Sequence, residues 1–162
     1  MKKIVITMLF FALMPSWAKS RPPAPEILGI RLGMDYAKAH TLLTKLGHFK
    51  SEDERQEVWA LRRDKRYEYL IVGFDRDHKV RYVTALARPQ GEPVDYSSIG
   101  DLTDAEHAGT TGNVRYIWRS KKHPDSLEYI VIAKGQAPHR LAMYSVKRIA
   151  AALEDDFIYA GR

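Results

Sequence analysis

The most regular pattern in the chain is the three-and-four spacing of apolar residues between Asp35 and Leu46. Tyr36, Ala39, Leu42, Leu43 and Leu46 fall on one face of a helix. Asp35 stands where a side chain can cap the first turn, and Lys45 lies in the last turn, where the macrodipole favours a cation. Gly47 follows as a candidate left-handed stop. Downstream the period shortens to two. Val58–Leu61 reads as a short strand. Tyr67–Phe74 reads as a strand with a buried middle, Asp75–Lys79 as a polar turn and Val80–Ala87 as the antiparallel return. Val114, Tyr116 and Trp118 alternate with Arg115, Ile117 and Arg119, and Leu127–Ala133 pairs with Leu141–Val146 as a second hairpin. Ser51–Glu57 is polar and reads as a loop or a short helix. Pro89–Gly112 is broken by prolines and glycines, with one helical turn expected at Thr103–His107 and Thr103 as its cap. The tail from Lys147 has helical character around Ile149, Ala150 and Leu153. The sum is an α+β fold: an antiparallel β-sheet of about six strands, with one main N-terminal helix and a candidate C-terminal helix packed on one face.

The ends of the chain divide it further. Lys2 and Lys3 precede an apolar run from Ile4 to Met14, then Pro15 and the small-residue site Ser16-Trp17-Ala18. This is the layout of a secretory signal peptide over residues 1–18. The run is about a dozen residues, short of the roughly 20 that a spanning helix needs. Residues 19–26 carry three prolines and read as an extended spacer, and 27–162 as a single domain. Removing the leader takes away two lysines and no acid, so the formal charge falls from +6 to +4. With export, anionic lipid headgroups, cell-wall polymers or an acidic protein fit that modest excess better than nucleic acid, and its ordinary reading is that it keeps the protein soluble; the expected partner is an envelope or extracellular protein. The chain has no cysteine, which excludes disulfides, thiol catalysis, thiolate metal sites and a lipid anchor through a thiol. The expected location is periplasmic or secreted.

The segment from Ile30 to about Ala87 carries a resemblance. Ile30-Arg31-Leu32-Gly33-Met34-Asp35 leads into the helix, Leu46-Gly47 closes it, and Val58-Trp59-Ala60-Leu61, Leu70–Asp75 and Val80–Val83 follow. This arrangement resembles the opening module of the SmpA/OmlA-type envelope domains and the related β-lactamase-inhibitor-like domains. In those families a Gly-Met pair opens the first helix, a Leu-Gly closes it and a three-stranded meander follows. The resemblance implies an exported domain that binds protein, with no catalytic residues to carry over. SmpA/OmlA-type proteins are lipid-anchored through a cysteine, which this chain lacks, and the part from Val94 onward has no counterpart in the pattern.

Candidate chemistry adds little. The six histidines show no metal-ligand spacing, and no nucleophile elbow or phosphate loop is present. No cofactor or metal is expected and no catalytic residue stands out. A hydrolase built by the Pro89–Gly112 loop from His107, Asp104 and Asp101 is the alternative, and a structural envelope protein without a discrete ligand is a third reading. The feature above background is aromatic and basic interleaving on the strands. On the open face of the sheet Tyr116, Trp118 and Tyr129 are the candidate binding anchors, with Arg115 and Arg119 at their rim, because Tyr, Trp and Arg are the residue types that anchor interfaces.

Overall fold

A computed structural model describes residues 22–110, 112–120, 127–136 and 140–149. The signal-peptide segment and nearly all of the candidate C-terminal helix lie outside these residues. The fold is β-rich α+β. A two-residue hairpin, β1 (Glu26–Ile27) and β2 (Ile30–Arg31), leads into the helix α1 (Tyr36–Leu46). Then come β3 (Gly47–Asp53), β4 (Gln56–Leu61), β5 (Tyr67–Phe74) and β6 (Val80–Ala87). Two single 3-10 turns, Tyr96–Ser98 and Leu102–Asp104, precede β7 (Glu106–Thr110), β8 (Asn113–Arg119), β9 (Tyr129–Gln136) and β10 (Arg140–Arg148). The eight strands β3–β10 form one antiparallel sheet in the order β3-β4-β5-β6-β10-β9-β8-β7. It is two four-stranded meanders joined through their last strands. No helix among the described residues is long and apolar enough to cross a membrane.

The sheet is larger than the six strands that alternation suggests. The two extra strands are its edges. β3 has five exposed residues in succession and β7 is exposed throughout, so neither carries a hydrophobic period. Both form because a hairpin partner supplies their hydrogen bonds, β4 for β3 and β8 for β7. The polar Ser51–Glu57 segment is therefore a β-turn-β corner, and His107 lies on a strand. The helical turn expected at Thr103–His107 sits earlier, at Leu102–Asp104. Its cap is Asp101, whose carboxyl accepts from the Thr103 backbone N–H. β10 also runs on through Lys147 and Arg148, where a helical tail was expected.

α1 has the expected bounds with different ends. Asp35 makes no side-chain cap. Instead the Tyr36 N–H donates to the His78 carbonyl at 2.8 Å, so the β5–β6 turn satisfies the helix start. Gly47 is extended, with φ −159°, and not left-handed. It is glycine because a Cβ there would run into the Ala60 carbonyl on β4, and the chain turns from helix into strand without a linker.

All described cover lies on one face. Ala39 and Leu43 of α1 join Ile27, Ile30, Trp59, Leu70, Val72, Val83, Val131 and Val146 in one core. Over the second meander the cover is the 94–105 segment. The Tyr96 ring lies 5.0 Å from that of Tyr116, and the Trp118 indole N–H donates to the Asp101 carbonyl at 2.7 Å. The proline-rich segment takes part as well: Pro23 is buried, and its carbonyl accepts from the Tyr129 hydroxyl at 2.9 Å. Ordered packing thus begins within the stretch read as a spacer.

On the opposite face, Gly73 lets the Tyr82 ring lie flat across β5 so that its hydroxyl donates to Gln56 on β4. A Cβ at Gly73 would overlap that ring. Gly73→Ala is expected to lower the unfolding free energy by about 1–3 kcal/mol, the usual scale of overpacking. In a Tyr82→Ala background the same change should be close to neutral. Urea unfolding of the four variants measures this coupling; equal costs in both backgrounds would show that the ring does not fix the glycine.

Candidate functional site

The cross-strand register defines what the open face displays. Its middle row runs Ser51, Val58, Ile71, Thr84, Ser145, Ile132, Ile117 and Glu106 from β3 to β7. Branched apolar side chains occupy both halves of this row, and Thr84 and Ser145 meet at the centre. Their hydroxyls share a hydrogen bond of 2.8 Å, and both residues are buried although no described element packs over them. They stand between Tyr69, Leu86 and Met143 in the row on one side and Tyr82 and Ile130 in the row on the other. Antiparallel sheets commonly leave one face in water, but that face is ordinarily polar. Here each half of the middle row is apolar, Val58 and Ile71 on one side of the Thr84–Ser145 pair and Ile132 and Ile117 on the other.

Charge is distributed unevenly over the same face. In these three rows the acids are Asp53 and Glu106, both on the outermost strands. The cations Arg115, Arg119, Lys134 and Lys147 all lie on β8, β9 and β10. Arg119 donates to Glu106 at 2.8 Å, and this hydrogen bond, with the attraction of the guanidinium, holds the Glu106 carboxyl below its ordinary range. Lys147 rests 5.5 Å from the centre of the Tyr82 ring, with the Arg81 guanidinium at 5.2 Å from the same ring.

The structure separates the five residues singled out in the sequence. Arg115 and Arg119 are exposed on the open face. Tyr116, Trp118 and Tyr129 are on the covered face. Trp118 is 1% exposed and packs beneath the 94–105 segment. Tyr116 is half-buried between Tyr96 and His107, and burial pushes the phenol of Tyr129 up. The expectation that rings and guanidinium groups share one open surface is corrected: strand alternation sends them to opposite sides. The signal that finds the open face is the other parity of the same strand, Arg115-Ile117-Arg119. Ile130, Ile132 and Lys134 on β9 were not singled out, because β9 is apolar on both faces and alternation there has no contrast.

Asp101 caps the second 3-10 turn, Asp104 is its last residue, and His107 lies on β7. Asp101 accepts from the Thr103 N–H and hydroxyl, while the His107 ring lies tilted against that of Tyr116 with centres 4.9 Å apart. No hydrogen bond or ion pair joins His107 to either acid among the described residues, and none of those residues forms a His/Asp/Glu group fit to hold a metal ion.

A second polar feature sits on the covered face. Glu57 is 2% exposed, and its two carboxyl oxygens accept from the Tyr36 hydroxyl and the Trp59 indole N–H, each at 2.8 Å. This clamp ties α1 to β4. The hydrogen bond to Glu57, aided by burial, pushes the Tyr36 phenol up to about 12. Both oxygens have a donor, so the group reads as structural. Comparison of the chain with protein-family models, curated proteins and solved structures finds no match.

The raised phenol has a consequence for stability. A group that keeps its proton longer in the folded state stabilises the fold below its unfolded pKa and loses that contribution as pH rises through the folded one. Stability is therefore expected to hold up to about pH 10 and to fall between there and about pH 12. Tyr36→Phe should cost about 1 kcal/mol at neutral pH and show a shallower alkaline decline. Unfolding curves at several pH values check this; an identical alkaline slope in the variant would remove Tyr36 from the account.

Proposed function

We propose that this chain is an exported, non-enzymatic protein-binding domain that docks its partner on the open face of the eight-stranded sheet. One observation carries the reading. Val58, Ile71, Ile132 and Ile117 lie in a single cross-strand row, partly exposed, with no described element over them and with cations beside Ile132 and Ile117. An apolar strip framed by polar side chains is the ordinary composition of an interaction surface. The basic, then apolar, N-terminal segment supports export. The excess of lysine and arginine supports an acidic partner over a nucleic acid in that location.

Ile117→Asp combined with Ile132→Asp places two carboxyls in the middle of the strip while leaving the covered core untouched. This double variant is expected to lose at least about tenfold in affinity for a partner retained from envelope extract, equivalent to roughly 1.4 kcal/mol. Lys45→Ser, exposed on α1 and remote from the strip, should retain the partner at wild-type strength. Equal retention by wild type and both variants, with unchanged circular dichroism, would exclude the open face.

A further inference from the structure

The four cations on β8–β10 form two pairs, one at each end of the apolar strip. Arg115 and Lys134 are direct cross-strand neighbours, while Arg119 and Lys147 share a row two strands apart with Ile130 between them. Like charges placed opposite one another weaken a sheet unless something neutralises them. Among the described residues no carboxyl makes an ion pair with Arg115, Lys134 or Lys147. Glu106 makes its ion pair with Arg119, and Arg115 acts on it only at longer range, through its charge. Opposite Arg115 on the outer strand, where an acid would balance the charge, stands Ala108. An open concavity of about 200 Å³ results, lined by Ala108, Gly109, Asn113, Arg115 and Lys134.

We infer that the partner presents an extended acidic segment with the pattern acid–x–apolar–x–acid, laid along β8 and β9. The inference rests on the protein-binding reading above and specifies its chemistry. Arg115 and Arg119 are four residues apart on one strand, which is about 13 Å. An extended segment projects every second side chain to one side, so its residues i, i+2 and i+4 span the same distance. An acid at i meets Arg115 and Lys134, an apolar side chain at i+2 meets Ile117 and Ile132, and an acid at i+4 meets Arg119 and Lys147. The pattern reads the same in both chain directions, so it does not depend on strand polarity. A flat anionic surface suits this face less well. Ile117 and Ile132 are half-buried between longer charged neighbours, so such a surface would meet the cations and miss the strip.

The test is a library of nine-residue peptides displayed on phage and sorted on the full chain without its leader. Acid–x–apolar–x–acid sequences are expected to rise at least about tenfold over the unsorted library. Sorting on Arg115→Gln/Lys134→Gln should retain the apolar position and lose one acid. Binding of a selected peptide should weaken at least about tenfold between about 0.05 and about 0.5 M salt, where screening shortens to a few ångström. Enriched peptides without acids, or an acid preference unchanged on the glutamine variant, would overturn the inference and leave the docking face standing. No enrichment over the Ile117→Asp/Ile132→Asp chain would overturn both. Sedimentation with phosphatidylglycerol vesicles, in the absence of peptide enrichment, would assign the cations to a membrane surface and overturn it as well.

Discussion

The pairing of β6 with β10 is the constraint on which the rest of the molecule depends. Each meander closes on its last strand, and the two last strands lie side by side from Met143 opposite Leu86 to Lys147 opposite Tyr82. That register decides which face of the sheet is which. A slip of one residue would exchange the two faces of β10 relative to β6. Tyr144 and Val146, which belong to the core side, would then stand opposite Thr84 and Tyr82 of the open side. The hydrogen bond between Thr84 and Ser145 marks the correct alignment, since each hydroxyl is buried and is the other's partner. Losing either one would leave a buried polar group without a donor or acceptor.

With the seam in place, cover goes to one side. α1 and the β1–β2 hairpin pack over the first meander and the central strands, and the 94–105 segment packs over the second. Among the described residues the second meander has no α-helix of its own. Two aromatic side chains serve there instead: Tyr96 against Gly135, where a Cβ would meet its hydroxyl, and Trp118 against Gly100. Pro23 completes this layer by touching the same glycine and accepting from Tyr129. Among the described residues, all the cover of this wide sheet lies on one side, and the apolar halves of the middle row on the other side have no described element over them.

The parts of this arrangement legible in the sequence are those with a strong period. α1 and the β5–β6 hairpin have the bounds that spacing gives, because Ala39, Leu43, Leu70, Val72, Val83 and Ala85 are all buried on one side. The edge strands were illegible for a physical reason. β3 and β7 bury almost nothing, so nothing in His48–Asp53 or Glu106–Thr110 alternates, and their state is set by a neighbour's backbone. Asp35 and Gly47 carry the right residue types for a cap and a stop. Yet the His78 carbonyl and the Ala60 carbonyl, both distant in sequence, decide what those positions do. The candidate site was half legible. The alternation in Asn113–Arg119 separates Trp118 from Arg119 without saying which side is covered.

That side is settled by what each residue type loses when it is wetted or buried. A Trp ring leaves much apolar area in water if it faces outward, whereas an Arg head group buried without a partner carries a large desolvation penalty. The cover therefore forms over Tyr116 and Trp118, and the arginines of the same strand are left outside. The consequence for recognition is specific. Interfaces are commonly anchored by large rings, and on this face Tyr82 is already held across Gly73 to Gln56. What remains is a strip of branched aliphatic side chains between cations whose spacing is fixed by strand geometry. On the proposed docking reading, a face of that kind would discriminate partners chiefly by where they carry negative charge, with the aliphatic strip rewarding those that also bring an apolar side chain to it.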